Sequence, residues 1–508
     1  MRRTILIAGL LTLLTGLVPA GAVQAAPNNN SSPKLRAAVT VSGVLEHQQA
    51  FQAIADANGG TRLAGTPGYD ESAEYVAGRM EAAGYRVTLQ PFEFLLVGDG
   101  SPPILERLTP PGQSFTDGTD FDSMTYSGSG DTTAGVWAVD LVVPSPFDNA
   151  STSGCDAADF AGFAAGSIAL LQRGTCNFSV KADNAAAAGA SGVIIFNEGN
   201  PGRTGVIDGT LSPPLRSLPV VGTTFAVGDN LRNGVQNGPT GVDARLRVDS
   251  VAETRTTVNV IAETPEGAAD NVVVVGAHLD SVSRGPGIND NGSGSATILE
   301  IAEEMSKVKP RNQVRFIWFG AEELGLIGST FYVNSLSPAE RGNIALMLNF
   351  DMVGSPNFVR FVYDGDTSHT TPPAGGAPAG SAQIEQLFVD YFAAQGLEAE
   401  PTAFDGRSDY GPFIAVGIPA GGLFTGAEGI KTPAQQAVYG GVAGQPYDPC
   451  YHLACDTIAN LSVTALDQMS DAVAHAVISY AQSTAPVNGK RGKGNFNTAE
   501  RVNLQAER

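Results

Sequence analysis

Histidine is scarce in this chain, five in 508 residues, and cysteine is scarcer at four, so each position that carries one is informative. Basic residues are outnumbered, 30 against 51 acidic, and the formal charge of −21 repels polyanions, which argues against nucleic acid as a partner. Charged residues make up only 16%, too few for a disordered polyanion. Beyond residue 18 no apolar run approaches the ~20 residues that a membrane helix needs, so no membrane anchor is expected.

The apolar run from Ile5 to Val18 follows Arg2 and Arg3 and precedes the small residues Ala22-Val23-Gln24-Ala25, the three-part pattern of a secretory signal peptide over 1–25. Its removal would take the charge from −21 to −23 and deliver a secreted, extracellular protein. No cysteine lies near the cleavage point to carry a lipid, so release is expected rather than anchoring. An oxidising compartment suits four cysteines in two close pairs, Cys155 with Cys176 and Cys450 with Cys455. Three connectivities are open, and the sequence-local one is expected. Zinc binding by these thiols is the weaker alternative, since neither pair has CxxC spacing and no His sits at finger distance from the first pair.

A chain of this length exceeds one core, so two folded domains plus tails are expected. Residues 26–40 read as a mobile leader or pro-segment and 486–508 as a flexible tail. Apolar residues at helical spacing predict helices over 70–83, capped by Asp70 and stopped at Gly84, and over 295–308, 384–392 and 466–480. Apolar runs at 272–275 and 344–348, and at 314–319 and 359–362 with a single arginine in each, suit strands buried on both faces. After residue 255 strands and helices alternate, which predicts an α/β sheet covered by helices on both faces. Residues 131–253 differ. Short apolar runs at 168–171, 193–196 and 219–221, with helical spacing only near 179–188, predict a separate β-rich domain inserted between catalytic segments 41–130 and 254–485.

Three consecutive strands end in metal-binding residue types. The first ends at His278, followed by Asp280 and a Gly-rich loop reaching Asp290; the second runs into Glu322-Glu323; the third delivers Asp351. Any one strand-end acid is most simply a cap. Three adjacent strand ends would instead gather these groups along one sheet edge, where carboxylates repel one another unless a cation neutralises them. Imidazole with carboxylate ligands points to zinc or a similar transition metal.

In order and spacing, HLDS, GINDNGSG, FGAEELGLIGS, NFDMVGSPN, GRSDYGPF and DPCYHLACDT resemble the motifs of the bacterial leucine aminopeptidase and aminopeptidase Y family, di-zinc metallopeptidases with a mixed central β-sheet. The resemblance implies two Zn2+ ions: His278 and Asp351 on one, Glu323 and His452 on the other, Asp290 bridging. It implies a hydroxide shared between the ions as nucleophile, Glu322 as general base, Tyr451 as hydrogen-bond donor to the oxyanion, and Asp280 orienting the His278 imidazole. The substrate would be a peptide with a free N-terminus, its amine held by Glu322, Asp351 and the Arg407 segment, and its large apolar first residue, such as leucine, lying against Phe424. A monomer is expected. A disulfide joining Cys450 to Cys455 would fix Tyr451 and His452 in their loop. Asp467 and Asp471 match aspartates that bind a structural Ca2+ in some relatives, although calcium wants six or more oxygens and an ordinary solvated helix face is the simpler reading.

The segments AGSIALLQRGTCNFSVKADNAAAAGASGVIIFNE and LPVVGTTFAVGDNL resemble the protease-associated (PA) domain, a lid or shaper of substrate access in which Arg173 and Lys181 would be structural. His47, His369 and His475 read as ordinary helix or loop residues. Rival readings are a carboxypeptidase or glutaminyl cyclase on the same fold, or a binding protein that lost catalysis. Against them stand the lack of an Arg/Lys cluster in these motifs, the full five-ligand set, and the presence of Glu322.

Overall fold

The computed structural model describes residues 29–489 except 148 and 374; the expected signal peptide and residues 490–508 of the expected tail lie outside the described residues. One mixed sheet runs through the molecule. In its catalytic half the strands lie in the order Glu400–Thr402, Phe361–Tyr363, Ala420–Phe424, Ile344–Phe350, Ala268–His278, Asn312–Phe319 and Gly238–Glu263. Ala268–His278 sits centrally, with parallel neighbours on both sides. Its run of valines alternates between two cores: Val273 and Val275 face one set of helices, while Val272 and Val274 face the other. A strand covered on both faces has no polar side, which is why the sequence there is unbrokenly apolar.

Register brings the chemistry together. Phe319 pairs with His278 across one parallel ladder and Asn349 with Gly276 across the other, so the residues just past each strand emerge at the same edge. From there the chain enters the helix Gly292–Met305, whose first turn is capped by the Asn291 side chain accepting from Gly294 N at 2.9 Å.

The expected helices form with shifted ends. The helix predicted over 70–83 spans Pro67–Ala82 with Thr66 as N-cap, so Asp70 lies in its first turn instead of capping it. Pro67 sets this start, because proline at the first helical position needs no amide proton and holds helical φ. Residues 32–38, expected within a mobile leader, instead form a helix. Its Leu35 is fully buried, Ser32 Oγ lies 2.7 Å from His475 Nδ1, and Arg36 pairs with Asp471 at 2.7 Å. At the other end Val487, expected in the tail, packs against the main core.

The inserted half continues the same sheet through Gly130–Ala138, Ile168–Gln172, Gly192–Phe196, Val220–Thr223 and Phe121–Ser123. It has its own two cores and a helix at Phe178–Ala187, together with Phe225–Arg232, a helix that apolar spacing does not announce. Two long antiparallel strands, Arg86–Arg107 and Gly238–Glu263, pair along nearly their whole length and pass from one half into the other. Both pairs of cysteines form disulfides in the sequence-local pattern, with Cα separations of 5.7 and 5.3 Å.

Candidate metal centre

His278 Nε2 stands 3.3 Å from Asp290 Oδ1, 3.3 Å from Asp351 Oδ1 and 3.6 Å from Glu322 Oε2. His452 Nε2 stands 3.3 Å from Asp290 Oδ2 and 3.3 Å from Glu323 Oε2. Each oxygen of Asp290 thus faces a different imidazole. One imidazole nitrogen carries at most one proton and cannot hydrogen-bond two or three carboxylates. Atoms bound at 2.0–2.1 Å to one tetrahedral ion, by contrast, lie about 3.3 Å apart. Asp290 Oδ2 and His452 Nε2 are buried without a hydrogen-bond partner, although they face each other. The donor set fits two zinc ions sharing Asp290.

The electrostatics agree. Burial disfavours both imidazolium ions, yet the negative carboxylates around them, Asp351 beside His278 and Glu323 beside His452 with Asp290 between, hold both histidines well above their ordinary range. Burial and the Asp290 charge push the Glu323 carboxyl up to about 7. A buried site that draws protons so strongly is shaped to hold positive charge.

The surrounding groups fix these ligands. Asp280, fully buried, accepts from the amides of Glu322 at 3.1 Å and Glu323 at 3.2 Å. Its carbonyl lies 3.2 Å from His278 Nδ1 and its carboxylate 3.7 Å, so it holds the Glu322-Glu323 turn as well as the imidazole. Ser408 donates to Asp351 Oδ2 at 2.6 Å and is itself held by Asn349 at 2.8 Å. The Cys450–Cys455 disulfide brackets Tyr451 and His452, and His452 adopts φ 59°, a left-handed conformation that costs a non-glycine residue energy and persists where its surroundings enforce it.

Two acids beyond the expected set complete the frame. Asp456 accepts from the amides of Asn289 at 2.9 Å and Asp290 at 3.0 Å; Asp448 accepts from Asn289 Nδ2 at 2.6 Å and Asn460 Nδ2 at 2.8 Å. Both stand inside the DPCYHLACDT motif, which was the available signal.

A cleft opens beside the centre, lined by Asp290, Asp351, Met352, Tyr363, Phe424 and Tyr451 among others. Arg407 also lines it, but its side chain turns to Glu428 and Tyr451. Phe424 stacks on Phe361 at 6.0 Å. Asp467 is exposed and Asp471 is engaged by Arg36, and neither joins any group of His, Cys, Asp or Glu close enough to share an ion among the described residues. These positions accord with the solvated helix face, the simpler of the two readings of this pair. Of the other histidines, His475 stacks on Tyr391 at 4.9 Å and His369 sits in a loop against Ser368. His47 is buried against Tyr75, Glu300 and Glu303. Lys181 is buried and donates to the Ser153 carbonyl, a structural role.

Comparison with known proteins places this geometry. Residues 259–477 match the model of peptidase family M28 and residues 138–231 that of the PA domain. An aminopeptidase of Pseudomonas aeruginosa is 49% identical over 450 residues, covering 88% of this chain and 82% of that protein. Leucine aminopeptidase 2 of Trichophyton rubrum is 47% identical over 347 residues, covering 67% and 68%. Among solved structures, the aminopeptidase from Aneurinibacillus sp. strain AM-1 superposes with a TM-score of 0.65 at 30% identity, covering 88% of this chain and 95% of that one. A zinc aminopeptidase from Bacillus subtilis does so at 0.63 and 27%, covering 89% and 99%. With both family matches and these relatives in agreement, the chain belongs to peptidase family M28, with a PA domain set into the sequence ahead of the M28 match.

Proposed function

We propose that the protein is a secreted two-zinc aminopeptidase that removes large apolar residues such as leucine from the N-termini of peptides. The observation that carries this is the bridging geometry of Asp290, with one oxygen toward His278 and the other toward His452. When bound, the two ions would supply Lewis-acid activation of the scissile carbonyl and of a water molecule. The chain's own groups do the rest. Glu322, fully buried beside His278, takes a proton from the attacking water and returns it to the leaving amine. Tyr451, stacked on the His452 ring at 3.9 Å, donates to the developing oxyanion. Glu322 and Asp351 hold the free α-amine, and Met352, Tyr363 and Phe424 receive the first side chain.

A carboxypeptidase would need a cation for the terminal carboxylate. Arg407, the arginine lining this cleft, is already engaged by Glu428 and Tyr451. Secretion is supported by two disulfides, and no helix among the described residues is long and apolar enough to cross a membrane.

The test compares kcat/KM for leucyl and N-acetyl-leucyl amides in zinc. Acetylation removes the amine and leaves its buried partners unsatisfied, so discrimination of ~10⁴-fold or more is expected. Comparable values would refute the reading in favour of endopeptidase or carboxypeptidase action.

A further inference from the structure

The inserted domain touches the metal centre through a chain of charged groups. Arg173, just past the strand Ile168–Gln172, donates from Nη2 to Glu428 Oε1 at 3.2 Å. The same oxygen accepts from Arg407 Nη1 at 3.0 Å, while Glu428 Oε2 accepts from Arg407 Nη2 at 3.4 Å. Arg407 Nη2 also donates to the Tyr451 phenol oxygen at 3.1 Å. Arg203, a second arginine of the insert, stands 4.0 Å from Glu428. Arg173 and Glu428 are largely sheltered, with side chains 15% and 22% exposed.

The chemistry of this chain has a direction. A phenol both accepts and donates. With Arg407 donating into its oxygen, Tyr451 is left to give its own proton elsewhere, and it lines the cleft beside Asp290 and Asp351. Arg407 is a cation beside a centre built to hold cations, so its place depends on a counter-charge. Glu428 supplies it in two-point geometry, which fixes the plane of the guanidinium as well as its position. Burial would push the Glu428 carboxyl up, but Arg407, Arg173 and Arg203 outweigh burial and hold it well below the usual carboxylate range. Two of those three arginines come from the insert.

We propose that Glu428, gripped by Arg173 of the inserted domain, is a positioning residue that orients Arg407 and through it the proton-donating Tyr451, so that the insert completes the catalytic site. The proposal rests on the reading of Tyr451 as oxyanion donor. It gives the insert a part in catalysis in addition to any role in substrate access.

The test is a pair of double-mutant cycles on the zinc-loaded enzyme, E428Q with Y451F and R173M with Y451F, using leucyl amide turnover. Metal content and melting temperature establish that each variant is folded and loaded. Y451F should lower kcat ~100-fold, as for loss of an oxyanion donor. E428Q and R173M should each lower kcat about 10-fold with KM little changed, because a misplaced group costs transition-state stabilisation more than ground-state binding. In the Y451F background neither should lower kcat further, since they act through the missing hydroxyl. Undiminished kcat in folded E428Q and R173M, or losses that multiply with that of Y451F, would overturn the proposal and leave the role of Tyr451 standing. Undiminished kcat in Y451F would overturn that role and the proposal with it. Should E428Q not fold, the R173M cycle gives the same decision.

Discussion

Replacing Asp280 by asparagine separates the holding of the ligands from the ligands themselves. The Asp280 carboxylate is fully buried, accepts the Glu322 and Glu323 amides at 3.1 and 3.2 Å, and touches no atom that would bind metal more closely than 3.7 Å. Asparagine keeps the shape but turns one of the two oxygens into a donor, so one amide proton meets an NH2 group. A buried donor left without its acceptor costs about 1–3 kcal/mol, or about 5- to 150-fold in an equilibrium constant. That range brackets the ~10–100-fold loss of metal affinity typical when a partner behind a ligand is removed. The loss should fall on both ions, because His278 belongs to one set and Glu323 to the other. Competition against a graded chelator, with metal content read by elemental analysis, measures it, and kcat at saturating zinc should fall much less than affinity. A D280N protein that holds both ions as tightly as the parent would refute the reasoning.

Glu322→Gln should retain metal and fold while lowering kcat at least ~100-fold, as for a lost general base; near-normal turnover would remove Glu322 from the mechanism. His47 gives a pH dependence of stability. Burial, with a further push from Arg79 and against the pull of Glu303 and Glu46, lowers its pKa to about 4, while the unfolded chain keeps about 6.5. Below pH 6.5 the unfolded state binds the extra proton, so stability is unaffected above that pH and is lost as pH falls toward 4, by up to about 3 kcal/mol. Denaturant titrations of the parent and of His47→Gln across this window should show the parent losing more; parallel curves would refute the assignment.

What could be read from sequence depended on how local the cause was. The strands 272–275, 314–319 and 344–348 were legible because burial on both faces forces a run that is apolar but for Arg315, and the residues His278, Glu322, Glu323 and Asp351 at or just past their ends were exposed to view by the same logic. Arg86–Arg107 was not legible. It pairs with Gly238–Glu263, about 150 residues away; its burial follows no steady period of two, with 95–97 half-buried and 98–100 exposed, and Gly98, Gly100, Pro102 and Pro103 interrupt its sequence. The helix Ser32–Ala38 buries a single large apolar side chain, Leu35, and one residue makes no periodic pattern. Tyr451 and His452 came from motif resemblance, since a loop gives no periodicity. The role of Arg407 through its side chain was hidden for a further reason: its partner Glu428 stands in a different loop and is completed by residues of the insert.

The charged groups that frame the centre also bear on why it calls for a cation. Arg62 is fully buried and donates to the carbonyls of Leu279, Pro286 and Gly287, caging the loop between His278 and Asp290. Burial lowers its pKa only to about 10, so it stays charged at neutral pH. Burial and the neighbouring Asp448 charge push Asp456 up to about 8, which leaves that acid largely protonated there and outside the charge balance. The five carboxylates at the core, Asp280, Asp290, Glu322, Glu323 and Asp351, are all nine-tenths or more buried. Carboxylates packed this closely in a buried site repel one another and lose their hydration, a costly arrangement that a bound cation relieves. The proposed place for such cations is where the two sets of ligands meet at Asp290.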